Sequence, residues 1–113
     1  GDGQQVRSFT YIYDTIDSIL GLMAKDEANG EIFNVGSHET ITILELAEKI
    51  RALTDSSSEI TFIPYDKVFI KGFEDMRYRV PDISKIAVLT GYHPKVRLDD
   101  MLRRIIQYHR GSR

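Results

Sequence analysis

A small α/β domain with two or three short strands and about four helices is the fold that this chain's apolar periodicity predicts. Two segments carry helical stripes: Ile43, Leu46, Ala47, Ile50 and Leu53, and then Leu98, Met101, Leu102, Ile105 and Ile106. Short β-prone runs closed by glycine or proline alternate with the helical segments, which implies parallel strand pairs joined by right-handed crossovers. A sheet this thin needs both faces and its edges covered, so one side is expected to be buried against another domain.

The first fourteen residues read as a glycine turn, a short strand and a helix cap. Gly1 and Gly3 flank Asp2 and permit a tight turn with positive φ, and the aromatic run over residues 9–13 supplies a stiff strand. Asp14 is placed to cap a helix with Ile16, Ile19, Leu20 and Met23 as its core face, ending near Lys25 ahead of Asn29 and Gly30. Residues 31–35 look like a short buried strand between Gly30 and Gly36. Thr42 and Glu45 form a capping-box pair for the next helix, which should stop in the polar run 54–58. A second strand is expected over residues 59–63, closed by Pro64.

No period persists from residue 65 to residue 81, yet aromatics, Val68, Ile70, acids and arginines crowd the segment, as in loops that are functional or packed on a partner. Asp82 offers a cap to a short helix carrying Ile83, Ile86, Ala87 and Leu89, and Gly91 is placed to end it in the left-handed conformation. In the last helix Asp99 and Asp100 sit at the positive end of the dipole, and His109 and Arg110 at the negative end.

The 113 residues suffice for one domain, residues 1–113, with a modest core, and 42% hydrophobic with 28% charged residues is ordinary for a soluble globular protein. Fifteen basic and seventeen acidic side chains leave a net charge of −2, so no strong field draws the chain to nucleic acid or an anionic membrane. A nucleic-acid role would rest on Arg103, Arg104, Arg110 and Arg113 alone, without an aromatic platform. With no cysteine there is no disulfide framework or thiolate metal site, which fits a reducing cytoplasm. His38, His93 and His109 are scattered, with no metal-ligand spacing. Apolar stretches are broken by charge every few residues and no signal peptide is marked, so a cytoplasmic location is the default. Gly1 opens on what reads as the middle of a motif, so an upstream segment is expected.

Arg7 is the first candidate for chemistry. An arginine fed from a glycine turn into a strand can grip a pyrophosphate through a bidentate, charge-assisted contact. The alternative is a surface arginine paired with a nearby carboxylate such as Asp2 or Asp14.

The opening string GDGQQVRSFTYIYD resembles the GDGxQxRSFxYVxD segment of NAD-dependent epimerases and dehydratases, extended short-chain dehydrogenase/reductases that act on nucleotide sugars. The likeness continues in order through FNVGxxxxxTIxELAxxI over residues 33–50, RxPDISK over residues 79–85 and an LGWxPKV-like turn over residues 89–96. It implies a C-terminal, nucleotide-sugar-binding portion that lacks the Rossmann domain. In the family's DDPxxRxPDxSKA segment an acid and an arginine, here Asp75 and Arg79, approach the ribose or base and the phosphates; Arg77 could replace Arg79, since extended residues i and i+2 point the same way.

The resemblance further implies a parent enzyme that oxidises a sugar hydroxyl with bound NAD and returns the hydride. A UDP- or dTDP-sugar would be its substrate, and a homodimer its usual state. Neither GxxGxxG nor a Tyr-xxx-Lys pair occurs in the chain, so the isolated chain should neither bind NAD in the family's manner nor turn over substrate. Tyr13 stands where an acid is frequent, Arg97 where a serine often caps the last helix, and Gly72 where UDP-galactose epimerase-like members carry an arginine. The last departure speaks against a simple UDP-galactose epimerase, and the RxPDISK pattern leans towards members resembling UDP-glucuronate decarboxylases and broad nucleotide-sugar epimerases. The competing reading is a stand-alone, non-catalytic interaction module of the same architecture, which an initiator codon adjoining Gly1 would support.

Overall fold

The computed structural model describes residues 1–68 and 75–111, so Ile70, Gly72 and Arg113 lie outside the described residues. Among those described, the strands are β1 (Val6–Ser8), β2 (Thr40–Thr42) and β3 (Tyr78–Arg79). The helices are α1 (Ile12–Met23), α2 (Ile43–Thr54), α3 (Ser84–Thr90) and α4 (Leu98–Gly111). The sheet has the order β2-β1-β3, and β1 runs parallel to β3 with Val6 opposite Tyr78 and Arg7 opposite Arg79. The chain divides into two compact units, the first comprising Gly1–Arg7 with Ile41–Arg79 and the second Ser8–Thr40 with Val80–Arg113.

In the first unit, α2 begins with the expected capping box: Glu45 N–H donates to Thr42 Oγ1 at 3.1 Å and Thr42 N–H donates to Glu45 Oε2 at 2.9 Å. The next amides find partners outside the helix, Ile43 N–H on Gln5 O at 3.1 Å and Leu44 N–H on Gly3 O at 2.9 Å. These bonds fix the start of α2 against the approach to β1. Gly3 has φ 75°, and a Cβ there would stand 2.9 Å from Leu44 Cβ, so this glycine is needed for both its backbone angle and its lack of volume. Residues 59–63 form no ladder among the described residues, and Phe62 and Ile63 are half exposed. The strand that pairs with β1 is instead Tyr78–Arg79, inside the stretch that lacks periodicity.

The second unit carries the main core. Ile83, Ile86 and Tyr92 are buried together, with Leu22, Phe33 and Val35 packed on them. Residues 31–35 form no strand among the described residues; Phe33 and Val35 are partly buried, whereas Ile32 is 86% exposed. Lys85 Nζ donates to Glu31 Oε2 at 2.7 Å and to Ile32 O at 2.9 Å and lies 4.6 Å from the Phe33 ring centroid, so a side chain takes a carbonyl that a ladder would have used. The Asp82 carboxylate accepts from Ser84 N–H at 2.9 Å at the start of α3, and Gly91 closes α3 in the left-handed region. Arg97 does not cap α4; Glu39 does, accepting from Leu98 N–H at 2.8 Å.

Two expectations for the N-terminal segment are corrected. The strand is Val6–Ser8 and carries Arg7 itself, while Ile12 and Tyr13 already belong to α1, whose N-cap is Tyr11. Asp14 lies buried in the first turn of α1, accepting from Val96 N–H at 3.0 Å. The inward face of α1 is also not the apolar stripe. Asp14 and Ser18 are buried, and Gly21 sits beside Thr90 of α3, whereas Ile16, Ile19, Leu20 and Met23 are exposed, Met23 to 78%. Small residues permit close approach of α1 to α3, and close approach outweighs hydrophobicity in setting which face turns inward.

Several carboxylates are held below their ordinary values of 3.8 (Asp) and 4.5 (Glu): Asp2 by the Arg77 guanidinium, Glu31 by the Lys85 ammonium, Glu45 by Thr42 and Asp82 by Ser84. Because the folded values lie below the unfolded ones, the stability they contribute is complete above the unfolded values and is lost as pH falls through the folded ones. The melting temperature is expected to stay level from neutral pH to about 5 and to decline below about 4. A rise on acidification, followed by circular dichroism, would contradict this sign.

Candidate functional site

The period-2 geometry of β1 and its approach places Gln5 and Arg7 on one face, and both are buried, to 5% and 8% exposure. Arg7 Nη2 donates to Asp75 Oδ1 at 2.7 Å and Nη1 donates to Val6 O at 2.8 Å. The other carboxylate oxygen of Asp75 accepts from the Tyr65 hydroxyl at 3.3 Å. Desolvation, followed by the Asp75 charge, pushes the Tyr65 hydroxyl above its ordinary 10.0, so it stays a neutral donor. Beside this cluster Arg77 Nη1 donates to both oxygens of Asp2 at 2.7 Å, and Asp2 accepts from Gln4 N–H at 3.0 Å, which closes the turn that delivers β1.

These groups rim a hollow of about 460 Å³ in the first unit. It is lined by apolar Ile43, Ala47, Ile60 and Phe62 and by polar Gln5, Arg7, Thr61, Tyr65 and Asp75, of which Gln5 and Arg7 are buried. An overlapping hollow of about 770 Å³ extends to Asp2 and Arg77 and shares Gln5, Phe62, Tyr65 and Asp75 with the first. An apolar base with a few convergent polar groups is the ordinary composition of a small-molecule site.

Arg7 and Asp75 thus meet across 68 residues of sequence, and Arg77 lines the adjoining hollow. Arg79 is placed opposite Arg7 in the sheet register, is exposed, and lines neither hollow. Arg7 does form an ion pair, as the alternative expected, but with Asp75 in place of Asp2 or Asp14, and it is buried where a surface arginine was expected. Sequence reasoning did not single out Gln5, Tyr65 or Phe62. Gln5 had a usable signal, two residues before Arg7 on an extended segment; Tyr65, in an aperiodic loop, had none.

No group of three or more metal-ligating side chains occurs among the described residues, and none of their helices is long and apolar enough to cross a membrane. The described residues do not fit an NAD cradle. The turns from β1 to α1 and from β2 to α2 contain no glycine, so the backbone there cannot close on a pyrophosphate in the dinucleotide-binding manner.

The fold is shared with solved sugar-nucleotide enzymes. UDP-glucose 4-epimerase from Thermotoga maritima, solved with UDP-glucose, superposes with a TM-score of 0.84 at 29% identity over 99% of this chain and 34% of that one. UDP-glucuronic acid 4-epimerase from Bacillus cereus, solved with UDP-glucuronic acid and NAD, gives 0.84 at 28% identity over 100% and 34%. In sequence, the UDP-N-acetyl-alpha-D-glucosaminuronate decarboxylase of Bacillus cytotoxicus is 40% identical over 110 residues, 97% of this chain and 34% of that protein. The chain thus spans about a third of the length of these relatives.

Fold and likeness together define the class as NAD-dependent epimerases and dehydratases, of which this is a C-terminal part. The chain belongs to the family described as GDP-mannose 4,6 dehydratase, whose model matches residues 1–105.

Proposed function

We propose that this chain is the substrate-binding portion of an NAD-dependent nucleotide-sugar epimerase, dehydratase or decarboxylase, and that its hollow receives the nucleoside diphosphate of a UDP-sugar. The observation that carries this is the buried Arg7 guanidinium at the rim of an apolar hollow, oriented by Asp75. Arginine has five N–H donors; two are engaged by Val6 O and Asp75, and the remainder are available to phosphate oxygens. Asp75, an acceptor only, takes ribose hydroxyls or a base N–H at the nucleoside end. Arg77 and Arg79 supply further positive charge to the phosphates, Arg77 by exchanging Asp2 for the ligand.

The residues of this chain bind and orient; the redox chemistry belongs to NAD held by the rest of the parent enzyme. Gripping the diphosphate far from the reacting carbon turns binding energy into position at the sugar. The exposed apolar stripe of α1 fits burial against that remaining part, which in relatives makes up about two thirds of the chain. We place the parent in the cytoplasm, as a homodimer.

Titration of the chain with UDP, followed by backbone amide NMR shifts, tests the assignment. Saturable shifts are expected at residues 3–7 and 60–65, stronger for UDP than for GDP. No saturable shift at millimolar UDP would refute it.

A further inference from the structure

Gln5 is the buried polar side chain of the hollow that the described residues leave without a partner. It is 95% buried, lines both hollows, and its side-chain amide has no hydrogen-bond partner among the described residues. No side-chain nitrogen or oxygen among them is both fully enclosed and unsatisfied, so the amide keeps its access to the hollow. Its position is confined: a Cβ on Gly1 would lie 2.9 Å from Gln5 Nε2 and 2.8 Å from the Tyr65 ring. An amide that opens only onto the hollow and has no protein partner is free to pair with a ligand edge there.

Of the other polar side chains that line the hollow, Thr61 is exposed and the remaining three each do one thing. The Arg7 guanidinium only donates, the Asp75 carboxylate only accepts, and the Tyr65 hydroxyl is already spent on Asp75. Gln5 alone presents a donor and an acceptor side by side in one plane. The edge of a pyrimidine imide has the same pair reversed: an N3–H that donates to Oε1 and a carbonyl that accepts from Nε2. The apolar lining of Phe62, Ile60 and Ile43 suits a flat ring face better than a ribose.

We propose that the Gln5 amide reads the imide edge of a uracil base, making Gln5 a specificity-determining residue of the hollow; this rests on the nucleotide-binding role proposed above. Arg7 holds the phosphates, Asp75 the ribose, and Gln5 the base.

The test pairs a change in the protein with a change in the ligand. UDP and N3-methyl-UDP, which lacks the imide hydrogen, are titrated by NMR against the chain and its Gln5→Leu variant. Because the amide makes no internal hydrogen bond, leucine orphans nothing, and an unchanged melting temperature checks the fold. Gln5→Leu is expected to weaken UDP about tenfold and N3-methyl-UDP hardly at all. The unaltered chain should itself prefer UDP over N3-methyl-UDP by a similar factor, a comparison that needs no variant. Equal loss for both ligands would place the amide on ribose or phosphate and overturn the inference. Equal binding of UDP to both proteins would overturn it while leaving the hollow a nucleotide site. Failure of the unaltered chain to bind UDP would remove both.

Discussion

Arg7→Ala in the full-length parent is expected to lower kcat/KM at least tenfold, about 1.4 kcal/mol of transition-state stabilisation. The argument is one of geometry and charge. The guanidinium is 8% exposed, anchored to a backbone carbonyl on one side and to Asp75 on the other, with its free donors at the edge of the hollow. Alanine would remove the only arginine among the described residues that line the 460 Å³ hollow and would leave Asp75 with the Tyr65 hydroxyl. A lysine should rescue poorly, since a point charge cannot satisfy carbonyl, carboxylate and phosphate together. The same substitution lowers stability, because charge-assisted hydrogen bonds of this kind contribute about 1.5–3 kcal/mol each. A purely architectural Arg7 would depress the melting temperature and leave kcat/KM of the folded enzyme unchanged, and that result would take it out of the site.

How much of this could be read beforehand depends on whether the causes are local. The α2 cap was legible because Thr42 and Glu45 satisfy one another three residues apart, and the end of α3 because Gly91 answers a local backbone demand. The first half of the α4 stripe was legible too, with Leu98, Met101 and Leu102 buried, while Ile105 is 43% exposed. The strands were not. At two or three residues each they carry almost no periodic signal, and the β-prone runs at 31–35 and 59–63 have no ladder partner among the described residues, which no local sequence can reveal. Periodicity found the stripe of α1 but not the direction it faces, since Ser18 and Gly21 turn inward for their size. Capping of α4 by Glu39 is invisible for the same reason, lying 59 residues from Leu98. In the hollow, the motifs found Arg7 and Asp75, whereas Tyr65 needed the fold to bring it to Asp75.

Gly36→Ala is the largest purely structural effect expected. A Cβ at this position would stand 2.2 Å from Pro81 Cγ and 3.3 Å from its Cβ and Cδ, far inside contact distance. The backbone cannot retreat freely, because Gly36 O accepts the buried Tyr92 hydroxyl at 2.9 Å and Tyr92 belongs to the core with Ile83 and Ile86. Nor can Pro81 swing aside, its ring being fixed to the main chain that leads to α3. Overpacking of this kind costs about 1–3 kcal/mol, which for a domain of this size lowers the melting temperature by roughly 4–8 °C per kcal/mol. Gly21→Ala is the control. It lies within α1, its Cβ would meet Thr90 at an ordinary 3.6 Å, and helix propensity alone should leave the protein as stable or more so. Adding Tyr92→Phe to Gly36→Ala separates the causes: if the hydrogen bond is what pins the backbone, the double variant loses less than the sum of the singles. A melting temperature unchanged by Gly36→Ala would mean that residues 36 and 81 do not pack as described.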